Sequence, residues 1–220
     1  LKNIKIAIDG PAASGKSTIA KLIAQELEYE YIDTGSMYRA ITLKALRLGI
    51  DLNKESEFSF ILTTTFDFVD GHIIMDGIDV SDHIREHEVS NNVSVVASYL
   101  SVRQECVKLQ RRFAEHYNVV MDGRDIGYVV LPDADYKFFL TANVETRAER
   151  RYKDNIKRGI KSNLEILKEK IAQRDYFDSH REHSPLKPAS DAIIIDTSDL
   201  TIEQVVALIT KKIRGNNNGN

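Results

Sequence analysis

The sequence predicts an α/β protein: a five-stranded parallel sheet with helices on both faces, a small antiparallel β insertion and a helical lid. Three observations carry that expectation. A glycine-rich loop, Gly10-Pro-Ala-Ala-Ser-Gly-Lys-Ser17, sits between an apolar strand-like run and a helix-like run. It fits G-x-x-x-x-G-K-[ST], a phosphate-binding loop that needs this strand–loop–helix setting. Strand and helix patterns then alternate through most of the chain, as a parallel sheet covered on both faces requires. Two Asp-Gly pairs interrupt the alternation once.

The elements follow in order. Ile4–Ile8 is the first strand, and Lys16–Leu27 a helix with Ile19, Leu22, Ile23 and Leu27 on one face. Tyr29–Ile32 is a short second strand, and Ser36–Leu48 a second helix stopped by Gly49. Thr65–Val80 holds short β-rich runs separated by Asp70-Gly71 and Asp76-Gly77, which predicts consecutive hairpins. Asn118–Met121, Tyr136–Leu140 and Ala192–Ile195 read as further parallel strands. Thr201 and Gln204 form a capping box that opens a last helix through Ile213. These elements give a three-layer P-loop nucleotide-binding core over residues 1–61 and 101–213, with a lid at about 145–180. Residues 62–100 are an inserted subdomain on the acceptor side, or else a β excursion without function. Residues 214–220 read as a frayed polar tail.

Composition narrows the function. The 220 residues carry a net charge of −3, without the basic excess of a general nucleic-acid binder. One cysteine, Cys106, excludes an internal disulfide and suits a reducing cytoplasm, where it packs as a small helix residue. No apolar run approaches the ~20 residues that span a bilayer. The chain opens into a core strand, so we expect no secretory leader. The one biased run, Arg147 to Lys161, is interleaved with Glu145, Glu149 and Asp154. It is a solvated helix face or a mobile lid over a nucleotide.

The loop's amides and the helix N-terminus can cradle a polyphosphate; Lys16 should reach the β- and γ-phosphates and the Ser17 hydroxyl should ligate Mg²⁺. A guanine-reading N-K-x-D segment and an L-S-G-G-Q signature are both missing. A kinase for a small anionic acceptor needs arginines for a second phosphate. Arg39, Arg124 and Arg181 stand where strand ends and the lid would bring them to Lys16. With Lys16 they are the catalytic candidates, whereas a nucleotide switch needs no such second pocket. Asp122, at the tip of a strand, would hold Mg²⁺ through water or cap the following turn. Asp9 would orient the loop or the magnesium waters.

Six segments extend the reading: Ile8–Thr18, Asp33–Arg39, Val89–Ser94, Met121–Gly127, Arg174–Asp178 and Pro185–Pro188. In order, and through almost the whole chain, they resemble bacterial cytidylate kinases, which transfer the γ-phosphate of ATP to CMP or dCMP. The resemblance implies donor contacts from Gly10, Pro11, Ala12, Ala13, Ser14, Gly15, Lys16, Ser17 and Thr18. It adds Arg147, Arg151 and Arg158 from a lid over ATP. Ser94, Arg103 and Asp125 would read cytosine, Asp125 by accepting from the exocyclic amine. Arg39, Arg124 and Arg181 would hold the CMP phosphate, Thr34 and Tyr38 would line its pocket, and Arg174 and Asp178 would sit near the sugar. Some relatives carry Ser at the position of Thr34 and Gly-Thr in place of Ser17-Thr18. The Ser17 assignment therefore rests on general P-loop mechanics. We expect Mg²⁺ with ATP, small-molecule partners only, no nucleic acid or membrane, a monomer, and a cytoplasmic location.

Overall fold

In a computed structural model, residues 3–69 and 71–217 are described. The main sheet is parallel, in the order β2-β6-β1-β7-β8. Its strands are β1 (Lys5–Asp9), β2 (Glu30–Asp33), β6 (Val119–Gly123), β7 (Tyr136–Thr141) and β8 (Ile193–Asp196). β1 lies in the middle and is buried on both faces, hence its run of Ile6, Ala7 and Ile8. One face is covered by α1 (Lys16–Leu27) and α7 (Ile202–Asn217), whose Ile19, Ile23, Val205 and Ile209 pack on Ile6, Phe138 and Leu140. On the other face, α4 (Leu100–His116) and a π-turn at Ile126–Val130 cover Ala7, Met121 and Ile32.

A second sheet, antiparallel and three-stranded, is formed by β3 (Phe66–Val69), β4 (His72–Met75) and β5 (Ile78–Asp79). Asp76 and Gly77 both have positive φ, 51° and 78°, as a two-residue hairpin of this twist requires. Of the other Asp-Gly pair, Asp70 lies outside the described residues, while Gly71 has φ 78°. Ile73 and Met75 point from this sheet into an apolar cluster with α2 (Thr34–Arg47), α3 (His87–Val96) and α4. Cys106 of α4 is buried in that cluster.

Some elements escaped the sequence reading. Glu55–Thr63 forms 3-10 turns kinked at Phe58, and α3 follows the small sheet. Both are short and anchored by a few buried residues, so neither carries a strong period. The last helix was expected to stop at Ile213 before a tail over 214–220; α7 instead runs to Asn217, and residues 218–220 lie outside the described residues. Its first turn bears the expected box: Thr201 N donates to Gln204 Oε1 at 2.9 Å, and Gln204 N to Thr201 Oγ1 at 3.3 Å. α5 (Val144–Lys157) and α6 (Leu164–His180) pack together beyond β7, each opened by an Asn side-chain cap. Among the described residues, no helix is long and apolar enough to cross a membrane.

Candidate active site

The carboxyl ends of β1, β2, β6, β7 and β8 open on one side of the sheet, and the loops there form the site. Gly10 follows β1 so tightly that a Cβ would stand 2.1 Å from Leu140 O of the neighbouring strand. Gly15, at φ 87°, turns the loop into α1 in the left-handed region that glycine favours. Among the described residues, the backbone amides from Ala12 to Thr18 have no protein acceptor outside α1. They are donors free to face an anion. Lys16 is only 7% exposed and reaches Pro11 O at 3.3 Å. Burial lowers its pKa, Arg124 adds to that, and Asp122 and Asp33 pull the other way.

Parallel pairing sets Asp33 directly beside Asp122. Asp122 is buried and accepts from Ser17 Oγ at 2.7 Å and Tyr31 OH at 2.8 Å, while its carbonyl accepts from Thr34 Oγ1 at 2.7 Å. Burial first, and then Asp33, raises its carboxyl above the usual carboxylate range. A serine hydroxyl on a strand-tip carboxylate is an all-oxygen pair that suits Mg²⁺, whose other ligands would be phosphate oxygens and water. Among the described residues no group of three His, Cys, Asp or Glu forms a metal cage. Asp9 has a different role from the one expected. Both its oxygens accept backbone amides, Ile126 N and Gly127 N at 2.8 Å each, so it pins the turn after β6 to β1.

Across from Lys16 lies a set of arginines. Arg39, on α2, donates to Ser90 Oγ of α3 at 3.0 Å. Arg124, just past β6, donates through Nε to Asp178 Oδ2 at 3.0 Å, and Arg174 Nε lies 3.9 Å from the same oxygen. Burial is the largest cause lowering the pKa of both Arg39 and Arg174; at Arg39 Asp33 opposes it while Arg151, Arg124 and Arg85 add to it, and at Arg174 Asp178 opposes it while Arg124, Arg39 and Arg151 add to it. The guanidinium groups outnumber the carboxylates that act on them, an excess of positive charge that a polyanion would relieve. Beyond Asp178 stands a buried ion pair, Arg103 Nη2 with Asp125 Oδ2, and Arg103 lies 5.4 Å over the Tyr38 ring. Arg181 ends α6; its Nε donates to Ser184 O at 2.6 Å and its Nη2 lies 3.9 Å from Asp125 Oδ1.

A sequence profile described as "Cytidylate kinase" matches residues 6–215. The chain belongs to the cytidylate kinase family. The cytidylate kinase of Bacillus cereus is 52% identical over 219 residues, covering 97% of both chains, and that of Bacillus thuringiensis matches to the same extent. Among solved structures, an uncharacterised protein from Eubacterium ventriosum superposes with a TM-score of 0.55 at 13% identity, covering 96% of this chain and 99% of its own. Shikimate kinase from Bacteroides thetaiotaomicron gives 0.51 at 14%, covering 96% and 98%. These two likenesses concern the fold alone.

Against the family's expected residues, the chain brings Arg124 and Arg174 onto Asp178 and both within electrostatic reach of Lys16, with Arg39 in turn within reach of Arg124 and Arg174. Arg103, Asp125, Tyr38 and Arg181 form the deeper end. Ser94 lies half-buried on α3, one turn beyond Ser90. Thr34 starts α2 beneath Gly123, and Thr18 is exposed on the first turn of α1. Arg151 is within electrostatic reach of Arg39 and Arg174, and Arg158 caps α5 beside it. Arg147 is packed against the phosphate loop. It is 4% exposed, with Nε on Ala142 O at 2.9 Å, Nη1 on Ala12 O at 3.1 Å and Nη2 2.6 Å from Asp175. The packing of α5 on α6 turns that face of the helix inward. Residues missed in the sequence are Tyr31, Ser90, Arg85, Arg150 and Thr197. Two carried a signal: Ser90 lies within the Val89–Ser94 segment, and Arg150 stands three residues from Arg147, which places both on one helix face.

Proposed function

We propose that Lys16 with the Gly10–Ser17 loop holds ATP, that Arg39, Arg124 and Arg181 hold the phosphate of CMP or dCMP in line with it, and that Arg174 and Asp178 stand beside its sugar. The family's reaction follows: the γ-phosphoryl group moves to the acceptor monophosphate, giving CDP or dCDP and ADP within pyrimidine nucleotide metabolism. The observation that carries this reading is the abutment of the two charged sets: Ser17 of the loop donates to Asp122 at 2.7 Å, two residues before Arg124, whose Nε pairs with Asp178 at 3.0 Å. A monophosphate oxygen is already an anionic nucleophile at neutral pH. Positioning and charge stabilisation therefore suffice, and no covalent intermediate is required.

Each residue has a distinct task in this reading. The loop amides and Lys16 hold the donor's terminal phosphates. Ser17 and Asp122 would hold Mg²⁺, which would offset charge between the β- and γ-oxygens. The Asp125 carboxylate accepts the cytosine amine while Arg103 donates to the O2/N3 edge. Uracil would present a carbonyl to Asp125 and leave both oxygens without a donor there. Asp178 keeps Arg124 and Arg174 aligned. We take residues 62–100 as the acceptor-side subdomain and about 145–180 as the lid. We take the protein to work as a monomer in the cytoplasm on small molecules, with neither nucleic acid nor membrane as partner. The deciding experiment is ADP release with ATP, Mg²⁺ and a panel of monophosphates. CMP and dCMP should be used well and UMP poorly; equal use of UMP would refute the role given to Asp125.

A further inference from the structure

The loop's carbonyls are held as firmly as its amides are left free. Ser14 O receives Arg150 Nη1 at 3.4 Å and lies 3.3 Å from Thr197 Oγ1. The same Arg150 nitrogen donates to Thr197 Oγ1 at 3.0 Å, and Nη2 donates to Thr197 O at 2.5 Å. Thr197, 1% exposed, follows β8 and is tied to the end of β7: its amide donates to Thr141 O at 2.8 Å, and its hydroxyl lies 3.1 Å from that oxygen. One guanidinium and one hydroxyl thus join the phosphate loop, β7, β8 and α5. A Cβ built on Gly15 would stand 3.9 Å from Arg150 Nη1, so the guanidinium lies close along the loop.

In a trans peptide the C=O and N–H point in opposite directions. No cis peptide occurs among the described residues. A hydrogen bond that pins Ser14 O therefore also aims the Gly15 N–H the other way, and Arg147 on Ala12 O does the same for Ala13 N–H. We propose that Arg150 and Thr197 are positioning residues of the phosphate loop, which orient the Ser14–Gly15 peptide so that its N–H meets the donor polyphosphate. They act through the loop backbone without touching ATP. The inference rests on the donor-site reading above and adds the device that keeps that site in shape. It also separates two jobs on α5: Arg147 and Arg150 fasten its first turns to the loop, leaving Arg151 to face the cleft.

Calorimetric titration with ATP and with inorganic tripolyphosphate, which has no base, tests the proposal. Arg150→Ala and Thr197→Val should each weaken both ligands by a similar factor, about tenfold, because a misaimed donor loses most of its value. The double variant should be no weaker than the worse single, since the two residues hold one carbonyl. Thr197→Ser should restore binding. ATP weakened with tripolyphosphate untouched would mean that Arg150 reads the base. Loss in Arg150→Ala with none in Thr197→Val would mean that Arg150 touches phosphate directly. Either result overturns the proposal. If Arg150→Ala does not fold, the Thr197→Val and Thr197→Ser pair decides, and equal affinities there overturn it too. Failure of the wild type to bind either probe would instead refute the donor-site reading.

Discussion

Lys16 shows how a single side chain is readied. It is buried, Pro11 O is 3.3 Å away, and its surroundings disfavour the charged form. An ammonium held so loosely is available to a phosphate. Lys16→Ala should lower kcat on the order of a hundredfold or more, the usual cost of removing one charge clamp from a developing transition state. Steady-state rates at saturating ATP and CMP measure it. Asp125 carries two burdens, since it faces the acceptor base and neutralises Arg103 and Arg181 in the interior. Asp125→Asn should raise the KM for CMP while leaving the KM for ATP near the wild-type value. It should also lower the melting temperature, because two buried guanidinium groups lose their counter-ion. A variant with a defect confined to ATP would contradict this assignment. The glycines, Lys16 and the arginines were legible in the sequence because each belongs to a motif with a mechanism. Ser90 and Arg150 lay inside quoted segments, but their roles, and Thr197 altogether, were not legible, because what they do depends on residues 51 and 47 positions away in the chain.

Local chemistry decided the elements wherever it was dense. Asp33, Asn143 and Asn163 cap α2, α5 and α6 through side-chain oxygens. At α7 the reciprocal bonds of Thr201 and Gln204 satisfy two amides that the helix leaves without partners. Thr201→Ala removes one of them on an element far from the cleft. It should cost about 1 kcal/mol and lower the melting temperature by about 2–4 °C, with activity unchanged. Thermal unfolding read by circular dichroism checks it, and a lost activity would show that α7 matters to the site. The hairpin at Asp76-Gly77 was equally readable, because few other residues tolerate two successive positive φ values. By contrast, α6 buries only Ile171 and Asp178 among its 17 residues, so it has little hydrophobic period to read. It is held by contacts of its polar residues, Asp175 to Arg147 and Asp178 to Arg124, which pattern alone does not reveal.

At the scale of the molecule, the strand order brings charges of one sign together in a chain that is slightly acidic overall. Asp9 is the point where this architecture becomes sensitive to pH. Burial raises its carboxyl from 3.8 to about 7, against two amide hydrogen bonds that pull it down. The folded protein therefore binds this proton more tightly than the unfolded chain does. The contribution to stability is full below about pH 4 and is lost as the pH rises through 7. Urea unfolding of the wild type and Asp9→Asn between pH 4 and 8 should show the wild type losing stability relative to the variant as pH rises. Parallel slopes would mean that Asp9 keeps an ordinary pKa. The comparison cancels the opposite trend expected of carboxylates such as Asp178, which burial alone would raise but whose pKa Arg124, Arg174 and Arg181 hold low.

The sequence by itself determined the phosphate loop, the parallel α/β plan, the hairpin at Asp76-Gly77 and the α7 cap, because each is written in residues a few positions apart. Only the tertiary structure decided that Arg147 faces inward, that Asp9 braces a turn, and that Arg150 and Thr197 both reach Ser14 O. Those outcomes depend on which strand ends become neighbours and how α5 settles on α6. Long-range packing chooses among the partners that an arginine or an aspartate could equally well accept.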